Sequence, residues 1–278
     1  MQLSEGVPEV VIGLIDGPVA IDHPELAPNS IQVSGSGAGA CSMEASLACQ
    51  HGTFVAGILV GRRGSPAPAI CPDCTLMLRP IFPERTSNGD GMPAATPLEL
   101  AAAVRETVEA GARIINLSAA LLQPNPRGVP ELQAALDFAA VRGAITVAAA
   151  GNQGTVGSSA ITRHPSVIPI AGCRLNGQPL AESNFGSSIG RRGLSAPAEG
   201  ITSLGSDGHA RPFGGTSAAA AIVTGAIALL WSAFRSVTAA QLKSALLGVS
   251  GTRRSTVVPP LLDAAAAYQS LAGARMLP

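Results

Sequence analysis

The sequence predicts an α/β protein of three layers, with a parallel β-sheet sandwiched by helices. Short apolar runs of strand length alternate along the chain with segments of helical length, the order that builds parallel sheets. The composition suits an ordered interior: 46% of the 278 residues are hydrophobic and 13% are charged, against a usual charged share of about 25%. Aromatics make up 3%, so the core must be built from Ala, Val, Ile and Leu with main chains packed closely. Intrinsic disorder, which needs low hydrophobicity and high charge, is excluded.

The first apolar run is 10–15 (VVIGLI), and 75–82, 114–117, 144–149 and 167–171 repeat its character. Runs this short and this apolar read as strands buried on both faces. Helical segments lie between them at 53–60, 97–110 and 130–142. Pro97 and Pro130 open the last two, and Gly111 and Gly143 close them, the usual helix punctuation. From 174 to 215 the style changes, with hairpin signals at Asn176-Gly177 and Asp207-Gly208. An apolar helix follows over 218–234. Its 17 residues, broken by Thr224 and Gly225, reach the lower limit for spanning a bilayer; a buried central helix is the expectation. Two more helices are expected at 239–247 and 261–272. No repeat or linker-like break appears, so 1–278 is read as a single domain.

Eighteen basic and eighteen acidic side chains cancel, so no cationic field draws the chain to nucleic acid or anionic lipid. The start of the chain is polar and lacks the cationic and apolar regions of a secretory signal, which makes a reducing cytoplasm the expected compartment. Five cysteines leave at least one unpaired within a monomer. Cys71-Pro-Asp-Cys74 has the form of a zinc or redox site, but zinc needs two further ligands and no second close pair supplies them. Cys41 and Cys49 bracket a short loop and can pair with each other or with those two; reduced thiols remain the alternative, as does Cys173. No metal or other cofactor is expected. Asn88-Gly89-Asp90-Gly91 offers oxygens without the ligand spacing of a calcium loop.

Ligands of open parallel sheets meet the carboxyl ends of the strands. There the sequence places Asp16 after the first run, Ser118 after 114–117 and Gly151-Asn152 after 144–149. Two further segments, His51-Gly52-Thr53 and Gly214-Gly215-Thr216-Ser217, complete an Asp, His, Ser order. Taken singly, Asp16 reads as a turn-capping carboxylate, His51 as a hydrogen-bonded histidine at a helix start, Ser217 as an N-cap and Asn152 as a turn residue. Together, each within its motif, they carry chemistry, whereas His23, His164 and His209 lack comparable context. From Val10 to Ala233 the chain resembles the subtilisin-like serine proteases (subtilases). The likeness extends to Ile114-Ile115-Asn116-Leu117-Ser118, Ala148-Ala149-Ala150-Gly151-Asn152 and Pro165-Ser166-Val167-Ile168.

That resemblance implies a subtilisin-like fold and a serine endopeptidase. Ser217 would be the nucleophile, His51 its base and Asp16 the group that orients the imidazole. The Asn152 amide and the Ser217 N–H would bind the oxyanion. The resemblance also implies a peptide bound as an extended strand against Ser118, Ala119 and Ala120 and against the stretch ahead of His51 or near 88–92. Ala149, Ala150 and Gly151 would wall the pocket for the side chain before the cut. Asp16-Gly17-Pro18-Val19 with His23-Pro24, Cys74 ahead of Pro80-Ile81-Phe82, and Asn116-Leu117-Ser118-Ala119 look most like the cyanobactin maturation proteases, which cut ribosomally made precursor peptides. In that group a ring-closing branch carries a helical insertion between Asp and His; they lie 35 positions apart here (51 − 16), too few for one, so hydrolysis is expected. With the first strand beginning near Val10, no inhibitory propeptide is expected, which fits a dedicated processing role.

Three positions depart from the usual subtilase pattern. Gly17 stands where Ser or Thr follows the aspartate, Ala221 where a Pro follows the nucleophile, and Ala119-Ala120 where Leu-Gly continues the substrate strand. Two rival readings are weaker. Gly35-Ser36-Gly37-Ala38-Gly39-Ala40 fits a dinucleotide fingerprint, but the His51 segment stands where that motif needs an acidic strand end. A non-catalytic peptide-binding scaffold would have lost a triad residue, and none is missing.

Overall fold

The computed structural model describes residues 4–26, 30–34, 39–85, 95–118, 129–248 and 255–274. Seven parallel strands form one sheet: β1 (Val11–Asp16), β2 (Ile31–Val33), β3 (Thr75–Pro80), β4 (Ile114–Leu117), β5 (Ile145–Ala149), β6 (Val167–Cys173) and β7 (Leu194–Pro197). Their order across the sheet is β2-β3-β1-β4-β5-β6-β7. A separate antiparallel pair, β8 (Ile201–Leu204) and β9 (Ala210–Phe213), forms a hairpin at the foreseen Asp207-Gly208 turn. At Asn176-Gly177 the chain instead makes a tight turn with an isolated bridge between Cys173 and Pro179; no second named strand follows to extend it.

Among the described residues, eight helices flank these strands: α1 (Leu47–Val60), α2 (Pro97–Glu109), α3 (Pro130–Val141), α4 (Ala160–Arg163), α5 (Ser187–Arg192), α6 (Thr216–Ala233), α7 (Ala239–Leu247) and α8 (Ala264–Ala274). β1 shows how the sequence divides the core between the two faces, because successive side chains of a strand alternate. Ile12 and Leu14 pack in the cluster with Phe54, Val55 and Leu59 of α1 and Val223 and Ile227 of α6. Ile15 packs on the other face with Leu100 and Val104 of α2 and Leu132 and Leu136 of α3. Alanines keep the layers close: Ala218 to Ala221 at the start of α6 are all fully buried. By length and composition α6 could cross a bilayer, yet 78% of it is buried inside the fold.

Two boundaries bear on the site. α1 starts at Leu47, capped by the Ser46 hydroxyl, which accepts the Cys49 N–H at 3.1 Å. The expected helix at 53–60 is therefore extended backward by a turn and a half, and His51 lies within it. α6 starts at Thr216 with Gly215 as its N-cap, so Ser217 sits in the first turn and is not the cap. The cysteine question also closes: Cys41 and Cys49 form a disulfide, while Cys71, Cys74 and Cys173 are buried free thiols. With neither sulfur of the Cys71/Cys74 pair exposed to solvent, redox chemistry there lacks the access it needs.

Candidate active site

β1 ends at Asp16 because the chain turns at Gly17, where α1 leaves no room for a side chain. A Cβ on Gly17 would lie 2.0 Å from the Ala48 carbonyl oxygen. This approach seats the first turns of α1 over the carboxyl end of β1 and brings His51 to Asp16. Their Nδ1 and Oδ1 atoms are 2.7 Å apart, with both residues buried. Oδ1 also accepts the Gly17 N–H at 2.6 Å, whereas Oδ2 has no partner among the described residues. Burial draws the imidazole toward its neutral form, but the Asp16 charge and hydrogen bond outweigh it, and the His51 pKa lies above the ordinary 6.5.

The surroundings of His51 are pinned from several sides. The Cys41–Cys49 disulfide ties the loop ahead of α1 to the helix two residues before the histidine. Glu84 accepts the Met43 N–H at 2.7 Å, the Ser42 N–H and the Ser42 hydroxyl. Thr53 Oγ1 accepts the Ala20 N–H at 2.9 Å, which holds the segment after β1 against α1. Cys41, Cys49 and Glu84 are the one group of metal-type ligands that converges among the described residues. It does not suit a metal, because the two sulfurs are bonded to each other and Glu84 is occupied by the loop.

Ser217 is buried at the amino end of α6, next to Asn152 and Gly151. Asn152 Oδ1 accepts the Thr216 N–H at 2.9 Å, and Thr216 Oγ1 accepts the Gly151 N–H at 3.1 Å. Gly215 turns the chain into the helix at φ 104°, and a Cβ there would lie 2.9 Å from Asn152 Nδ2. The Ala218 and Ala219 N–H groups are taken by the Gly215 carbonyl. Among the described residues, this leaves the Ser217 N–H and the Asn152 NH2 as donors without an acceptor. They stand at the positive end of an 18-residue helix, where an anion is favoured.

Phe213 connects these two halves, and the sequence reading missed it. It is the last residue of β9, four before Ser217, and its ring meets the His51 imidazole edge-on with centroids 6.2 Å apart. It also packs on Phe54 of α1 at 5.3 Å, yet remains 54% exposed. In a chain so poor in aromatics, a Phe directly before Gly214-Gly215-Thr216-Ser217 was the available signal. A second missed relay runs from α6 to the end of β4: Thr224 Oγ1 donates to Asn116 Oδ1 at 2.9 Å, and Asn116 Nδ2 donates to Ser118 Oγ at 3.0 Å.

Of the other expected site residues, Ala149 ends β5, and Ala150 and Gly151 follow it, buried. Asn184 fixes that wall: its Nδ2 donates to the Ala150 carbonyl at 3.1 Å, and its N–H to the Gly151 carbonyl at 2.9 Å. Ala119, Ala120 and 88–92 lie outside the described residues. A second Asp-His-Ser series exists, with Asp137 Oδ1 3.3 Å from His164 Nε2 and His164 Nδ1 2.7 Å from Ser166 Oγ. It lies before β6, at the amino end of the strands, opposite the end where α6 starts, at Thr216. Connectivity alone therefore does not make a catalytic group.

A model of the subtilase family matches residues 8–259. Mycosin-1 of Mycolicibacterium smegmatis (strain ATCC 700084 / mc(2)155) is 31% identical over 243 residues, which cover 69% of this chain and 53% of that protein. The chain thus spans about half the length of the mycosins it matches. Among solved structures, a serine-to-alanine mutant of the protease domain of PatA superposes with a TM-score of 0.86 at 28% identity, covering 100% of both chains. The prenylagaramide maturation protease PagA superposes with a TM-score of 0.82 at 26% identity, covering 96% of this chain and 95% of that one.

Proposed function

The chain belongs to the subtilase family of serine endopeptidases, and on that premise we propose that it hydrolyses precursor peptides through an acyl-enzyme on Ser217. The observation that carries this reading is the buried 2.7 Å contact between Asp16 and His51, with Phe213, four residues ahead of Ser217, packed on the imidazole. Asp16 holds the Nδ1–H tautomer and stabilises the imidazolium, so that Nε2 is the nitrogen left to take the Ser217 proton. The acyl carbon forms a bond to Ser217 Oγ, and His51 returns the proton to the departing amine. Water then attacks the ester with His51 again as base. In both tetrahedral intermediates, the Ser217 N–H and the Asn152 NH2 receive the oxyanion charge.

Precursor peptides are the proposed substrates because PatA and PagA, whose structures this chain resembles, are maturation proteases by name. The substrate would lie extended across the ends of β4 and β5, pairing with main chain at Ser118 to Ala120. Hydrolysis is favoured over ring closure because the interval between Asp16 and His51, 35 positions apart, contains, among the described residues, β2 and loops but no helix ahead of α1. The test is digestion of a linear precursor peptide followed by mass spectrometry, with Ser217→Ala as control. Fragments whose masses sum to the substrate plus one water agree with the proposal. A product lighter than its linear form by one water, or cleavage that survives in the control, contradicts it.

A further inference from the structure

A fully buried amide stands in the middle of β4. Asn116 lies between Leu14 of β1 and Val147 of β5, in a strand whose four residues are all buried. Taking an amide out of water is costly unless it is hydrogen-bonded. Strand alternation puts Ile114, Asn116 and Ser118 on one face, and Ile114 packs in the cluster that holds Val223 and Ile227 of α6. On that face Thr224 of α6 donates its hydroxyl to Asn116 Oδ1 at 2.9 Å, and Asn116 Nδ2 donates to Ser118 Oγ at 3.0 Å.

The direction of the Thr224 hydroxyl is an independent observation. Helical Ser and Thr hydroxyls often bond back to the carbonyl four residues earlier, and two others in this protein do so. Thr107 donates to the Ala103 carbonyl at 2.6 Å and, within α6 itself, Ser232 donates to the Ala228 carbonyl at 2.7 Å. Thr224 sends its proton out of the helix to the strand instead. It follows Ser217 by seven residues (224 − 217), two turns and about 10 Å along nearly the same face of α6.

Ser118, at the outer end of the relay, is where the sheet releases β4. The register with β1 ends at the Ile15–Leu117 pair and the register with β5 at the Leu117–Ala148 pair. Ser118 is thus the first residue past the paired positions on both sides, and on the peptidase reading it is the first that meets the acyl side of the substrate. The relay joins the helix that carries the nucleophile to the residue that would hold the peptide.

We propose that Thr224 is a positioning residue for peptide binding: through Asn116 it fixes Ser118 relative to the amino end of α6, so that an extended substrate pairs with its scissile carbonyl in register with Ser217. The proposal rests on the peptidase reading and goes beyond it, because it assigns a role to a side chain that touches neither substrate nor the reacting atoms.

The test compares kcat/KM for two substrates, a linear peptide with several residues ahead of the cut and p-nitrophenyl butyrate, an ester that can acylate Ser217 but has no peptide group to pair. Thr224→Val keeps the branched shape and removes the hydroxyl. It should lower the peptide-to-ester ratio by about tenfold, the scale of a buried polar group left without its partner. The loss should appear in KM for the peptide, since strand pairing is made before the transition state as well as in it. Thr224→Ser, which keeps the donor, should retain most of the ratio. If Thr224→Val does not fold, Thr224→Ala decides on the same readout. A ratio equal to that of the wild type, a loss confined to kcat, or a serine variant as impaired as the valine one overturns the relay and leaves the peptidase reading intact. Absence of any Ser217-dependent cleavage of the peptide by the wild type overturns both.

Discussion

Gly17 determines how Asp16 serves His51. The family pattern has Ser or Thr after the aspartate, whose hydroxyl could reach the carboxylate, but the Ala48 carbonyl excludes even a Cβ here. Among the described residues Oδ2 is left without a partner, and the carboxylate acts on His51 and the Gly17 N–H. Activity needs the neutral imidazole, so kcat/KM should rise with pH through a midpoint above 6.5, the side to which Asp16 moves the His51 pKa. Asp16→Asn leaves burial as the dominant influence. The midpoint should then move to lower pH while the plateau falls by about 10⁴-fold. A pH–rate profile of both proteins checks this, and an unmoved acid limb in the variant would refute the coupling. Asp16, His51, Ser217 and Asn152 were legible in the sequence because each sits in a local motif of polar residues bounded by glycine and apolar runs. Phe213 and the Thr224–Asn116 relay were not. Their partners lie more than a hundred residues away, and packing of the β8–β9 hairpin on α1, and of α6 across the sheet, brings them together.

At the scale of elements, the loop between Cys41 and α1 is held by a covalent bond as well as by Glu84. Closing so short a loop stabilises the fold by roughly 2–3 kcal/mol. Reduction, or Cys41→Ser with Cys49→Ser, should therefore lower the melting temperature by roughly 5–10 °C. Calorimetry with and without a thiol-specific reductant measures it; identical melting temperatures would show that the loop is held without the bond. The five apolar runs were recognisable as strands because burial on both faces writes itself as nearly unbroken Val, Ile, Leu and Ala. β2 (IQV), β7 (LSAP), β8 (ITSL) and β9 (ARPF) mix polar residues or proline into three or four positions and carry neither an apolar run nor a period. α1 began earlier than expected because Ser46-Leu47-Ala48-Cys49 carries a capping hydroxyl but neither a proline nor an acidic first turn.

At the scale of the whole molecule, strand order explains why chemistry collects where it does. The chain leaves β1 for β2 at the edge, returns to β3 beside β1, then crosses to β4 on the other flank and runs outward to β7. A crevice therefore forms at the carboxyl ends of β1 and β4, the switch point at which such sheets bind ligands. Asp16 and Ser118 stand on its two lips, and α6, running beneath the sheet, delivers Ser217 to the same edge. The sequence alone announced parallel strands and their polar ends. It did not announce their order, because crossover choices are settled by which helix faces fit which side of the sheet.

The most direct measurement is the site and partner dependence of fluorophosphonate labelling, read by peptide mass spectrometry. A triad of Asp16, His51 and Ser217 predicts one adduct, on Ser217, abolished by His51→Ala and slowed by Asp16→Asn, with Ser166 unmodified beside His164. An adduct on Ser166, or labelling of Ser217 that is indifferent to loss of the imidazole, would contradict that triad.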